Sequence, residues 1–490
     1  MSLQEKLEKL KEASGRPFTE GLEESWIAKF EKIDTNLVDA VEGALFAWSN
    51  LQDEEKELLK EDESKVIRIC QEGILNFYSV DSVSPYIPIY AKGPWIVTAY
   101  GSVVYDTGGY GMLGFGHNPD VTKDISASGR VMANVMTPSF AQKRLVDVLK
   151  KKIGIQRGEC PYVKFAFMNS GSEAVSVAAR VADAHAMVMV GKGGVHEGKP
   201  QAYLSLKGSF HGRTYRPALV SHSTRKEYLR YLASFKNRKD LLIVDPNDCK
   251  GLESAYREAE KRGIFIEAMF MEPVMGEGNP GFAISREFYD TARCLTKEHG
   301  SLLIIDSIQA GLRAWGVLSI IDYPQFRGVE PPDIETFSKA INAGQYPVSA
   351  VCFGRYSSGF YKIGIYGNTM TANPAAMDIA CAVLKAVDED IRDNIVVKGK
   401  ELKEKLEDIA RAFPRKVIRV EGTGLLSSME LDERRCKVVG FRGIEERLRR
   451  SGLNVIHGGK NSLRFTPHFK ITSEEICLIA EKVRSALESP

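Results

Sequence analysis

Between residues 160 and 355, short apolar runs alternate with longer segments whose apolar residues recur at helical spacing. Leu302 to Ile305 is one such run and stops abruptly at Asp306; Ile334 to Phe337 is another and stops at Ser338-Lys339. Runs of this length, bounded by polar residues, predict interior strands of a parallel sheet. The pattern recurs at Val163 to Met168, 201–206, 241–246, 267–274 and 347–354, with predicted helices at 253–262 and 286–299. Strand–helix repetition of this kind predicts one large, doubly wound, mostly parallel α/β sheet domain.

The flanks read differently. Residues 1–84 form an expected N-terminal helical extension, since LEESWIAKFEKI and AVEGALFAWSNLQDEEKELLKED carry apolar residues at helical spacing. This layer is expected to pack on the main body or on a partner subunit. From Pro85 to Pro119 the texture becomes short strands and glycines, and 120–160 reads as helices. From about 390, a charged helix, the glycine-split strand pair VIRVEGTGLLSSMEL, a basic helix, SLRFTPHF and a helix from Thr472 predict a small α+β domain. The expected division is 1–84, 85–389 and 390–490, with 85–120 contributing to the small domain or to a pocket.

Composition narrows the function classes. Lys plus Arg (66) nearly balances Asp plus Glu (64), so no bulk basic field points to nucleic acid or an anionic membrane. No apolar run approaches the roughly 20 residues of a membrane span, and the charged start, MSLQEKLEKLKEASG, does not resemble a secretory signal. The eight cysteines are scattered without a CxxC, which predicts reduced thiols in a cytoplasmic protein and no metal site.

The candidate chemistry starts from Asp306 and Lys339. Each ends a predicted strand, and open α/β sheets meet their ligands at such carboxyl ends. About thirty residues separate them, enough for one crossover that brings both tips to one edge. A lysine forms a Schiff base with an aldehyde, and pyridoxal phosphate enzymes pair such a lysine with an acid at the pyridine nitrogen. Taken singly, Asp306 also reads as a loop cap and Lys339 as a solvated lysine. Asn169-Ser170-Gly171-Ser172-Glu173 joins a strand to an alanine-rich helix, where free N–H groups suit a monophosphate; the same letters spell a capping box. Gly109-x-Gly111-x-x-Gly114 matches a dinucleotide fingerprint in letters only, because Gly116, Asn118 and Pro119 follow where a helix is required. A glycine-rich loop lining a pocket is the expected reading there.

In order, NSGSEA, FHGRT, EPVMGEG, LLIIDSIQAG, FSKA and GNTMTANP resemble the landmarks of class III (ω-type) aminotransferases over roughly residues 95–488. These are pyridoxal-phosphate enzymes of the aspartate-aminotransferase fold (fold type I). The resemblance implies that Lys339 carries the cofactor and then moves the proton at the substrate carbon. Asp306 would pair with the ring nitrogen, Gln309 with the phenolic oxygen, and Ile308 and Phe210 with the two ring faces. Ser170, Gly171 and Ser172 would hold the phosphate, with His211 and Glu272 beside the cofactor. Thr369 would reach the phosphate of a neighbouring subunit, implying a homodimer. Arg213 and Arg464 resemble arginines that grip substrate carboxylates, and Glu277 resembles a glutamate that neutralises the second of them. Each arginine also reads as a surface or interdomain ion pair.

The implied reaction moves an amino group, an ω- or terminal amine of an amino acid or diamine, to a 2-oxo acid such as 2-oxoglutarate by ping-pong chemistry. An aminomutase or decarboxylase on the same fold, and a non-catalytic binding protein, are the alternatives. Two departures stand out: Ser307 replaces the family's usual Glu after the acid, and the glycine-rich stretch after the lysine shortens to NAGQYP.

Overall fold

The computed structural model describes residues 1–126, 130, 134–344 and 346–488. Parts of the expected 120–160 helices, Gln345 of the NAGQYP stretch and the last two residues lie outside the described residues. The chain forms two compact units: Met1–Lys123 with Val397–Pro490, and Asp124–Val396. This division differs from the expected one. Residues 1–84 are no separate extension, while 85–123 group with the C-terminal part, in line with the expected contribution of 85–120 to the small domain.

The first unit opens with helices Leu3–Glu12, Glu24–Glu31, Thr35–Ser49, Asp53–Leu58 and Glu63–Gln71, followed by strands β1 (Pro88–Lys92), β2 (Trp95–Thr98) and β3 (Val103–Asp106). The helices are welded to these strands. Trp95 is fully buried, its ring centroid lies 4.8 Å from that of Phe30, and its Nε1 donates to Asp34 Oδ2 at 2.6 Å. Helix Thr35–Ser49 presents Gly43 to Tyr90; a Cβ there would sit 2.2 Å from the ring. Buried Glu63 accepts from the backbone N–H groups of Phe18 (2.8 Å), Thr19 (2.9 Å) and Ile87 (3.0 Å), tying three segments together.

The Gly109 fingerprint lies in a 3-10 turn, Gly109–Gly111, with no helix after it. Gly108 has φ +108, and a Cβ on it would lie 1.5 Å from the Thr466 carbonyl oxygen, so backbone packs directly on backbone.

The second unit contains β4 (Tyr162–Met168), β5 (Gln201–Leu206), β6 (Leu241–Val244), β7 (Phe265–Met271), β8 (Leu302–Asp306), β9 (Ile334–Phe337) and β10 (Ser349–Gly354). They form one sheet in the order β4-β10-β9-β8-β7-β5-β6, in which β10 alone runs antiparallel to its neighbours. Helix Gly171–Val190 covers its centre. Ala174, Val175, Ala178, Ala179, Val181 and Ala182 cluster there with Ile304, Ile334 and Val351, all buried. Small side chains let the helix approach closely, and apolar burial on both sheet faces explains the continuous apolar strands. β8 and β9 are parallel neighbours, as the crossover argument required.

The chain then returns to the first unit for β11 (Val417–Thr423), β12 (Leu426–Leu431), β13 (Leu453–Asn454), β14 (Ile456–Gly458), β15 (Ser462–Phe465) and the closing helix Ser473–Glu488. β13 pairs in parallel with β3, completing the sheet β1-β2-β3-β13; the others form the sheet β11-β12-β15-β14. The β3–β13 pairing is what places 85–123 with the C-terminal segment. Among the described residues no helix is long and apolar enough to cross a membrane.

Glu63→Ala leaves three backbone donors without their acceptor, which predicts a loss of about 3 kcal/mol from the first unit. Three of the four tryptophans (Trp26, Trp48, Trp95) belong to that unit, so tryptophan fluorescence during urea unfolding measures it. A wild-type midpoint in the variant would show that Glu63 is no tether.

Candidate active site

Parallel strands deliver their carboxyl ends to one edge, and the candidate residues follow those ends. At the end of β8, Asp306 is buried. Its Oδ2 lies 2.8 Å from Nδ1 of His211, and its Oδ1 accepts from the N–H of Ile308 (3.1 Å) and the hydroxyl of Thr336 (3.4 Å). His211 is itself braced: its backbone N–H donates to Ser221 Oγ at 2.9 Å, and its Nε2 lies 3.4 Å from Ser205 Oγ. An imidazole locked in this way fixes the rotamer of the acid beside it.

After β5 the turn carrying Phe210 is held by Glu272, which follows β7. Glu272 Oε2 accepts from the N–H of Phe210 and Oε1 from that of Gly276, both at 2.9 Å. Burial pushes this carboxyl up to about 7; Asp306 nearby adds to the rise, while His211 and the two backbone donors oppose it.

After β4 the helix start carries the capping box. Ser170 Oγ accepts from the N–H of Glu173 (3.3 Å), and Glu173 Oε2 accepts from those of Asn169 and Ser170 (2.9 Å each), forming the capping box. The N–H of Ala174 bonds the Ser170 carbonyl. The amides of Gly171 and Ser172 are the two in the first turn that the helix geometry leaves over for an anion. Ser172 Oγ accepts from the N–H of Arg213 (3.3 Å), which draws the β5 turn against the helix start. Gly212, at φ +122, makes this possible, because a Cβ there would sit 2.3 Å from Ser172 Oγ.

Ile308 and Gln309 are both buried and pack on neighbouring turns. A Cβ on Gly171 would lie 2.8 Å from Ile308 Cδ1, and one on Gly276 would lie 2.2 Å from Gln309 Cδ. Lys339, half-buried, opens the 3-10 turn Lys339–Asn342 just past β9 with φ 45. Left-handed backbone in a lysine is strained, and such strain gathers at functional sites. The preceding Ser338 donates its hydroxyl to the Val348 carbonyl at 2.9 Å.

Arg213 is exposed, its guanidinium 5.4 Å from the Phe210 ring centroid. Glu277 is half-buried just beyond Gly276. Thr369 is exposed in a turn organised by Asn368, whose side chain donates to Glu173 Oε1 and accepts from the N–H of Met370. Arg464 belongs to the first unit, fully buried on β15 opposite Ser428, and is not among the groups the second unit gathers. Sequence reasoning missed Thr336, Ser205 and Ser221, hydroxyls that carry no motif. For Thr336 the available signal was its place in register with the acid, Asp306 opposite Thr336.

The raised Glu272 carboxyl has a pH consequence. The folded state holds its proton more tightly than the unfolded chain. The stability this group contributes is therefore complete below its ordinary value near 4.5 and is lost as pH rises to about 7. Glu272→Gln should remove about 2 kcal/mol of the decline between pH 5 and pH 8, measured by urea unfolding of the cofactor-free protein. Identical pH slopes in the two proteins would contradict the assignment.

A family model described as aminotransferase class-III matches residues 77–487. Ornithine aminotransferase 2 of Staphylococcus aureus is 32% identical over 327 residues, spanning 66% of this chain and 74% of its own length. The enzyme of the same name from Staphylococcus saprophyticus is 28% identical over 428 residues, spanning 85% and 98%. The crystal structure of the ornithine aminotransferase from Toxoplasma gondii ME49 shares the fold, with a TM-score of 0.74 over 89% of this chain and 98% of that one at 21% identity. The chain belongs to the class III aminotransferases, enzymes of fold type I that move an amino group from an amine donor to a 2-oxo acid with pyridoxal phosphate as cofactor.

Proposed function

We propose that the donor is an amino acid carrying a terminal amine, that the acceptor is a 2-oxo acid such as 2-oxoglutarate, and that the two half-reactions follow in ping-pong order. The observation that carries this reading is Arg213. Its backbone is clamped to Ser172 and its guanidinium stands over Phe210, so a cation suited to bidentate carboxylate binding lies beside the phosphate cradle. A substrate anchored there by its carboxylate presents a distant amine to the lysine. The relatives' names, ornithine and acetylornithine aminotransferase, support the same class.

The residues fit the cofactor. The cradle at Gly171 and Ser172 stays open because position 212 has no Cβ, and the donor set pairs amides and a hydroxyl with a buried acid. When bound, pyridoxal phosphate supplies an aldehyde for amine exchange and a ring that accepts electrons. In this reading Asp306, steadied by His211, keeps a proton on the ring nitrogen. Gln309 hydrogen-bonds the phenolic oxygen, Ile308 and Phe210 enclose the ring, and Ser170 and Glu272 hold the surrounding turns. Lys339 would hold the cofactor through its amine and, when that amine is free, would serve as the general base that moves the proton. Thr369, in its exposed turn, would complete the phosphate site of a second copy of the chain. The free cysteines fit a cytoplasmic enzyme.

The test is the visible spectrum of the purified protein with a panel of donors: amino acids bearing a terminal amine, their N-acetyl derivatives, and α,ω-diamines. The cofactor band should be lost with one donor class and restored by a 2-oxo acid, and Lys339→Ala should lack the wild-type band. Arg213→Ala should raise KM for carboxylate-bearing donors about tenfold or more while leaving diamines unaffected. A band that no donor shifts, or equal loss for acids and diamines, would refute the substrate reading.

A further inference from the structure

A charged residue interrupts the apolar run of β9. Glu335 lies between Ile334 and Thr336 in an interior strand and is fully buried. Its carboxylate accepts from Ser307 Oγ at 2.6 Å, from Tyr162 Oη at 2.7 Å, from the N–H of Ile320 at 3.1 Å, and from Ser319 Oγ. Burial pushes this carboxyl up and the four donors oppose the rise. For stability alone, an apolar residue in such a strand would serve as well or better. Four convergent donors from three segments instead give direction.

Three of the donors define the place. Ser307 begins the loop that leaves β8, and Ser319 and Ile320 end it. Between them the loop closes on itself: Gly311 N–H bonds the Ser307 carbonyl (2.8 Å), Leu312 N–H that of Val317 (2.8 Å), and Gly316 N–H that of Leu312 (2.7 Å). Strand pairing of β8 with β9 stops at Asp306 and Thr336, with one more backbone bond from Ser307 N–H to the Thr336 carbonyl at 3.0 Å. Beyond that bond, Glu335 is the group on β9 that holds both ends of the loop. Ile308 and Gln309 directly follow Ser307 in the loop.

We propose that Glu335 is a positioning residue of the active site: its carboxylate closes the neck of loop 307–320 and thereby holds Ile308 and Gln309 in place, indexed to the strand that ends at Lys339. It touches neither substrate nor cofactor. Its effect passes through the loop.

The test uses the full-length protein with three substitutions. Glu335→Gln keeps the shape and removes the charge, Ser307→Ala removes only the loop-side donor, and Tyr162→Phe removes a donor that lies outside the loop. Hydrogen exchange of the loop amides, the pyridoxal phosphate dissociation constant, the pH midpoint of the bound cofactor's absorbance, and kcat and KM are measured for each. Glu335→Gln should speed exchange across 307–320 selectively, raise the dissociation constant about tenfold, and displace the pH midpoint. Its kcat should fall about tenfold with little change in donor KM. Ser307→Ala should move the same readouts in the same direction by less, and Tyr162→Phe should leave loop exchange and cofactor binding at wild-type values. If Glu335→Gln does not fold, Ser307→Ala decides. Unchanged cofactor affinity and loop exchange in the variants that fold, or a uniform rise in exchange across the whole unit, would overturn the proposal. Cofactor binding by the wild-type protein, read in the same titration, tests the functional reading separately.

Discussion

The site depends on the parallel pairing of β8 with β9. Ile304, Ile305 and Asp306 stand in register with Ile334, Glu335 and Thr336, so the acid is fixed three residues before Lys339 on the adjacent strand. At about 3.3 Å per residue, this register keeps acid and amine within roughly 10 Å along the sheet, whatever the path of the intervening chain. The same parallel order gathers everything else. Asn169–Glu173 follows β4, Gly208–Arg213 follows β5, Glu272–Glu277 follows β7, Asp306–Gln309 follows β8 and Lys339 follows β9. Five separate motifs meet at one edge because the strands that carry them run the same way.

Three buried carboxylates then divide the work of holding that edge. Asp306 faces an imidazole and two further donors. Glu272 holds two backbone amides and carries a carboxyl raised to about 7. Glu335 accepts from three side chains and one amide. Glu272 joins the turns after β5 and β7, and Glu335 joins both ends of loop 307–320 to β9. A turn past a strand end has lost the sheet's own bonding, and buried acceptors of this kind restore it.

The candidate site is legible where it coincides with a strand end. Asp306 and Lys339 stood out because polar residues terminate apolar runs, and the α/β sheet followed from the same alternation. The unit boundaries were not legible. Residues 1–84 look like a separate helical layer, yet Glu63 binds Phe18, Thr19 and Ile87, and β13 joins β3 across some 350 residues of sequence; pairings of that range leave no local pattern. Arg464 carries a motif in the sequence, but its burial on β15 is a property of packing that no motif shows. Glu335 is visible in the sequence as a charge inside an apolar run, but a single acid carries no motif. It also bears on the missing glutamate at 307, since Ser307 reaches a carboxylate on the adjacent strand.

The turn after β9 shows how the sequence departs from its family without losing the site. Lys339 at φ 45, Ala343 at φ 54 and Gly344 at φ 72 place three left-handed residues within six positions. In a glycine-rich stretch this geometry is free of steric cost; an alanine there is strained by about 1 kcal/mol. The surroundings must therefore impose the turn, through Ser338 bonded to the Val348 carbonyl and the side chain of Asn342 accepting from the N–H of Gly344 at 2.8 Å. At a strand's end the pleat would decide a side chain's direction by alternation. At Lys339 the left-handed backbone breaks that alternation, so the lysine's direction is set by the turn. A shortened, less glycine-rich turn is then stiffer, and stiffness at the lysine is compatible with chemistry that needs its amine in one place.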